Sequence, residues 1–303
     1  MDALERSAIA HAGLAFQNPL DGLKVDAFVE RLPLAPGARV VDLGCGKGEL
    51  LLRILERHDV SAVGVDLSPY FLADARREAA RRVPDARLRL SEEDARRIEL
   101  EPEPSDLAIA VGAGGIWDGY RAALRALARL VRPGGHILLG EGYWRREPSA
   151  AYLAALGAGR DDLADYEGLV AAAREEGLEL VESLESTEGD WERYERQWAE
   201  NGERWAAEHP GHPGRDELLA WIRNGRDRFE RLGGRETLGF ALLLLRRPPT
   251  RAPSPGSARA PARERAGGGS SRPRRFSPSG ARPARSGPAS RPARRPHHRP
   301  LGG

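Results

Sequence analysis

Apolar residues recur along the first 247 positions with two periods that take turns. Short apolar or alternating runs at 40–42, Val60–Asp66, 86–90, Ser105–Val111 and 136–141 read as strands, most of them apolar enough to be covered on both faces. Between them lie stretches of helical spacing at 50–55, Pro69–Arg82, 120–131 and 153–176. A period-two run at 178–184 predicts a sixth strand, and 237–245 a buried seventh. Strand and helix alternating in this way predict an α/β sheet with helices on both faces.

Two stretches depart from that alternation. Residues 1–35 are weakly helical up to Ala15, break at Phe16-Gln17-Asn18-Pro19-Leu20, where proline favours a turn, and resume a helical pattern at Leu23, Ala27, Phe28 and Leu32. His11 reads as a surface residue. Residues 186–236 read as two helices inserted before the last strand. The first carries Trp191, Tyr194, Trp198 and Trp205 on one face, and the second, 216–232, carries Leu218, Ile222, Phe229 and Leu232. Packing explains such a stripe, and so does a lid over the carboxyl edge of the sheet, where the insertion falls.

The strand ends hold the chemistry. The first apolar run ends at Asp42, glycines follow at 44, 46 and 48, and helical spacing begins at Leu50. Glycines let the backbone turn sharply and approach a ligand, and open α/β sheets bind small molecules at this edge. A dinucleotide loop, G-x-G-x-x-G, would put its third glycine on Glu49, so the spacing D-x-G-x-G-x-G argues for another nucleotide. The second strand ends on Asp66, placed to accept ribose hydroxyls, or else to cap the next helix. Ser68 with Pro69 already supplies that cap. Asp94 follows the third strand, and a small-residue loop, Gly112-Ala113-Gly114-Gly115-Ile116-Trp117, follows the fourth. Gly140-Glu141-Gly142-Tyr143-Trp144 ends the fifth. There Glu141 is positioned to orient or deprotonate a nucleophile and the rings to attract a cation, unless they pack the rim.

From Asp42 through the glycines, and in its acid-tipped strands and the Arg132-Pro133-Gly134-Gly135 turn, the chain resembles the class I S-adenosylmethionine-dependent methyltransferases over roughly 16–247. The helical insertion resembles an uncharacterised bacterial subgroup that acts on small molecules. The resemblance implies a Rossmann-like sheet of seven strands, mostly parallel with an antiparallel last strand, helices on both faces and a helical cap. It implies S-adenosylmethionine as cofactor, held by Asp42, Gly44, Cys45, Gly46, Gly48, Asp66, Leu67, Asp94, Ala95 and Val111. The glycines would pass under its methionine end, Asp42 face the ammonium, and Asp94 and the Ala95 N–H meet the adenine. An acceptor pocket is expected from Asn18, Trp117, Trp144, Trp191 and Tyr194. Glu141 and Tyr143 are the catalytic candidates, with Asp118 beside them, and no metal is expected. Methyl transfer by in-line displacement needs chiefly alignment and exclusion of water.

Composition divides the chain at Pro248. Residues 248–303 are nearly all Arg, Pro, Ala, Ser and Gly, with Phe276 and Leu301 the large apolar exceptions, and read as disordered. This tail carries thirteen Arg against Glu264. The net charge of +2 therefore combines a tail near +12 with a body of roughly −10. The domain plan is N-terminal helices at 1–35, a catalytic unit at 36–247 with its insertion at about 186–236, and the tail. Nucleic acid would be a partner only through that tail, whose Arg/Pro/Ala/Gly bias base composition explains as well, since the acidic body repels phosphates. The amino-methylating signature Asn/Asp-Pro-Pro-aromatic is missing after the fourth strand, and the sole cysteine, Cys45, lies in the glycine loop. A nucleic-acid methyltransferase and a non-catalytic nucleotide-binding module are thus the rivals to a small-molecule enzyme. One cysteine excludes a disulfide framework and no apolar run reaches the roughly 20 residues of a membrane span, so the cytoplasm is the expected compartment. Oligomeric state has no sequence signal.

Overall fold

The chain builds a single twisted sheet whose strand register decides which side chains reach its carboxyl edge. The structure is a computed structural model that describes residues 1–98 and 104–249. The basic tail lies outside the described residues from 250 onward. Helices α1 (Ala3–Ala10) and α2 (Gly22–Glu30) precede β1 (Ala38–Leu43), α3 (Glu49–Arg57), β2 (Val60–Asp66), α4 (Pro69–Arg82), β3 (Arg87–Glu92) and β4 (Ser105–Val111). Then follow α5 (Tyr120–Leu130), β5 (Val131–Trp144), α6 (Ala150–Leu156), α7 (Tyr166–Glu175), β6 (Glu179–Glu185), α8 (Glu188–Glu208), α9 (Arg215–Glu230), α10 (Gly234–Thr237) and β7 (Leu238–Arg246).

The strand order is β3-β2-β1-β4-β5-β7-β6. Strands β1 to β5 run parallel, and β7 lies antiparallel between β5 and β6. The order reverses between β1 and β4, which opens a crevice at their carboxyl ends. Period-two alternation assigns each residue a face. Val40, Leu107, Ile109, Leu138 and Leu242 pack with α2, α3 and the inserted helices, whereas Val41, Ala108, Ile137, Leu139 and Leu243 pack with α5 and α7. Fully burying each such leucine contributes about 1.5–3 kcal/mol.

Helix boundaries follow local chemistry. Ser68 accepts the Phe71 N–H at 3.3 Å, with Pro69 opening α4. Thr187 and Asp190 form a reciprocal capping box on α8. The single helix expected over 153–176 is instead two, because Gly157 turns left-handed at φ +67° to end α6 and Asp165 caps α7. The fifth strand is longer than 136–141. It begins at Val131, where Gly134 donates to the Arg247 carbonyl, and it runs on to Trp144 by pairing with β7. No described helix is long and apolar enough to cross a membrane.

Candidate active site

β1 carries Asp42 to the edge of the sheet, and the loop after it curls back on β2. The Gly44 and Cys45 N–H groups both donate to the Val65 carbonyl, at 2.8 and 3.0 Å. Gly44 holds φ +80°, and a Cβ there would stand 3.0 Å from that of Ala113. Gly46 holds φ +53°, and its Cβ would fall 2.2 Å from Gln17 Oε1. The left-handed backbone strains any side chain at both positions, and at Gly44 the Ala113 Cβ crowds it as well. Asp66 closes the loop from below, accepting from Gly46 N at 2.8 Å and Ser68 N at 2.7 Å.

The break at residues 16–20 lies over this loop. Together Phe16, Gln17, Asn18, Asp42, Cys45 and Val111 line a crevice with Leu50 of α3. Lys47 pins the cover, donating to the carbonyls of His11 at 2.5 Å and Leu14 at 3.3 Å, with Asp74 3.6 Å away. Three buried polar atoms among the lining residues have no partner among the described residues: Asp42 Oδ1, Asn18 Oδ1 and Gln17 Nε2. Buried polar groups are ordinarily paired, so such a cluster marks where a ligand belongs. Two acceptors beside one amide donor suit a ligand end that bears both an ammonium and a carboxylate. Burial, and secondarily the Asp66 carboxylate, pushes Asp42 up to about 7. Burial also raises Asp66, against the pull of the Ser68, Gly46 and Leu67 amides.

A methyltransferase domain family model matches residues 40–135, the span from β1 to the start of β5. A crystal structure of an S-adenosylmethionine-dependent methyltransferase from Geobacter sulfurreducens, in complex with S-adenosyl-L-homocysteine, is 29% identical with a TM-score of 0.75, over 81% of this chain and 98% of that one. The uncharacterized protein YjhP of Escherichia coli is 30% identical over 247 residues, 81% of this chain and 99% of its own length. The chain belongs to the class I S-adenosylmethionine-dependent methyltransferases. A 27-O-demethylrifamycin SV methyltransferase from Amycolatopsis mediterranei is 28% identical over 236 residues, 74% of this chain and 82% of the relative. The cofactor of this methyltransferase is S-adenosylmethionine, whose amino-acid end carries the ammonium and carboxylate that the three unpartnered atoms suit.

Farther along the edge of the methyltransferase sheet, β3 ends beside Asp66, with Glu93 N 3.2 Å from the Asp66 carbonyl. Asp94 caps a 3-10 turn over 95–97, accepts Arg96 N at 3.0 Å and pairs with the Arg96 guanidinium at 2.6 Å. That guanidinium holds its carboxyl at about 2. Ala95 is buried, while Leu67 is 56% exposed.

Under the inserted helices lies a second space, open to solvent, between α6, α8 and α9. Trp191 and Tyr194 line it, together with Tyr152, Glu195, Trp198, Arg228 and Phe229. Tyr194 joins this space to the crevice. Its hydroxyl lies 2.9 Å from His11 Nε2 and 3.2 Å from the Gln17 carbonyl. His11 is therefore no surface residue. It is 2% exposed, and burial holds its imidazole at about 4. The neutral ring donates through Nδ1 to the Ser7 carbonyl at 2.7 Å, leaving Nε2 to share the Tyr194 proton with Gln17.

Four expected site residues stand elsewhere. Pairing of β5 with β7 continues through Tyr143 and Trp144, opposite Gly239 and Leu238, so both rings are buried in the sheet instead of projecting from its rim. The Tyr143 hydroxyl bonds Glu185 at 2.5 Å, and burial with that carboxylate pushes it up to about 12. Trp144 donates to the Arg160 carbonyl at 2.9 Å and packs edge-on against Tyr152. Glu141 shares the face of Ile137 and Leu139, away from the crevice, and folds under Gly114, whose Cβ would fall 2.0 Å from Oε2. Burial raises it to about 7, and it accepts from its neighbour Gly142 N at 3.1 Å. Trp117 packs on that same face. Gln17, Glu195 and Arg228 were not singled out from the sequence. For Gln17 the signal was its place in the turn before Pro19; the two charged residues carry no local signal. Among the described residues no group of three His, Cys, Asp or Glu side chains is arranged to hold a metal.

Proposed function

We propose that this methyltransferase moves the methyl group of S-adenosylmethionine to a small molecule bound under the inserted helices. The observation that carries the reading is Tyr194, whose ring walls the second space and whose hydroxyl bonds the backbone of Gln17 beside the glycine loop. A relative that acts on 27-O-demethylrifamycin SV supports an acceptor of low molecular weight. The roughly −10 charge of the body disfavours a polyphosphate acceptor.

In this reading Asp42 and Asn18 accept from the ammonium of the cofactor and the Gln17 amide donates to its carboxylate. Gly44, Cys45, Gly46 and Gly48 leave room for the chain between them. Asp66 accepts from the ribose, Asp94 and the Ala95 N–H hold the adenine, and Leu67 and Val111 cover it. When bound, the cofactor supplies an electrophilic methyl on a sulfonium. The residues at 16–20 and α8 cover the edge and keep water out, and α6, α8 and α9 hold the nucleophile in line. The catalytic unit in this reading is 36–247 with its cap at 186–236, and 1–35 closes the crevice.

The test is formation of S-adenosylhomocysteine by the full chain against a panel of hydroxylated, amino and carboxylic small molecules, with RNA and DNA as further arms. Turnover confined to small molecules is expected. Turnover on nucleic acid alone, or none with any acceptor despite cofactor binding, would overturn the reading.

A further inference from the structure

The walls of the space between α6, α8 and α9 are aromatic, from Trp191, Tyr194, Trp198 and Phe229, yet two charged groups line it as well. Glu195 comes from α8 and Arg228 from α9, and neither side chain makes a hydrogen bond or an ion pair among the described residues. The indole N–H groups of Trp191 and Trp198 are buried in the wall without partners. Burial lifts the Glu195 carboxyl to about 7 against the opposing pull of Arg228. Two buried indole N–H groups and two half-buried charged side chains thus face one apolar space with no hydrogen-bond partner among the described residues.

They divide by sense. Indole N–H and guanidinium groups only donate, and a carboxylate only accepts. An ammonium ligand would suit Glu195 and be repelled by Arg228; a carboxylate ligand would suit Arg228 and the indoles and be repelled by Glu195. A hydroxyl both donates and accepts, carries no charge, and meets both demands at once. The surrounding rings favour a flat apolar body behind it.

We propose that this space takes a neutral hydroxyaromatic ligand of the phenol class, its hydroxyl donating to Glu195 and accepting from an indole N–H or Arg228. The proposal rests on the reading that the acceptor binds under the inserted helices, and it adds the chemistry that selects it. Glu195 acts as a specificity residue.

Calorimetric titration of the full chain, saturated with S-adenosylhomocysteine, with 2-naphthol, 2-naphthoate and 2-naphthylmethylammonium separates the alternatives. Naphthol is expected to bind at least about tenfold more tightly than either charged probe. Glu195→Leu is expected to remove that preference while leaving S-adenosylhomocysteine affinity intact. Glu195→Gln, which keeps an acceptor and loses the charge, is expected to hold naphthol within about threefold and to strengthen naphthoate. A charged probe binding as tightly as naphthol, naphthol affinity indifferent to Glu195→Leu, or no binding of any probe would overturn the assignment. Phenols methylated at a rate insensitive to Glu195→Leu would sink this pocket chemistry and leave the small-molecule reading standing. Naphthol bound as expected, with no small molecule methylated, would do the reverse.

Discussion

The two spaces at the carboxyl edge are built by opposite means. The crevice is made of backbone: a glycine loop, its amides on Val65 and Asp66, and a few short polar side chains over it. The space under the cap is made of side chains, large rings from helices distant in sequence, with Glu195 and Arg228 among them. A backbone cradle constrains what it holds to one shape, whereas a side-chain chamber is altered one residue at a time. A methyltransferase that keeps its donor fixed and changes its acceptor would be divided in this manner.

That division is sharpened first by the change expected to cost most. Trp191→Ala removes a buried ring stacked on Phe229 and should lower folding stability by about 3–5 kcal/mol in urea unfolding. Affinity for S-adenosylhomocysteine, measured on the still-folded protein, should stay within about threefold; a collapse of both would show the two spaces to be one structural unit. Asp66→Ala works on the other side. It strips Gly46 N and Ser68 N of their acceptor and should weaken cofactor binding by about 1–3 kcal/mol, and unchanged affinity would remove Asp66 from the site.

Smaller and more specific is a pH effect. Burial pushes Asp42 up to about 7, so at pH 6 it is largely protonated, while in the proposed reading the cofactor ammonium would favour its ionised form. Binding there must expel a proton. Affinity for S-adenosylhomocysteine should therefore be greatest above pH 7 and fall as pH drops, approaching about tenfold per unit, or about 1.4 kcal/mol. Asp42→Asn should flatten that profile; a wild-type profile already flat from pH 6 to 8 would contradict the contact. The smallest change is expected from Tyr143→Phe, which loses a hydrogen bond to Glu185 at a cost of about 1 kcal/mol in stability. Its turnover should match the parent, and a lost turnover would return Tyr143 to the chemistry.

The same contrast explains what could be read from the amino-acid order. β2, α4 and β4 were visible end to end, since period-two burial, Ser68-Pro69 and Asp66 are local signals. The glycine loop was visible for the same reason. The chamber was visible as a stripe of rings on α8, while its polar groups were not, because Glu195 and Arg228 come to line one space only when α9 folds back on α8. His11 was misjudged likewise, its partner Tyr194 lying 183 positions away. Glu141, Tyr143 and Trp144 looked like a rim because nothing local announces that β7 pairs with β5 through Trp144.

Tyr194 belongs to both enclosures, a wall of one and a hydrogen-bond donor to the strand of chain that roofs the other. Any energy that passes between them obeys a closed thermodynamic cycle: the factor by which a seated donor changes the hold on the acceptor equals the factor by which the acceptor changes the hold on the donor. Order of addition then alters how fast the ternary assembly is reached, never how firmly it is held.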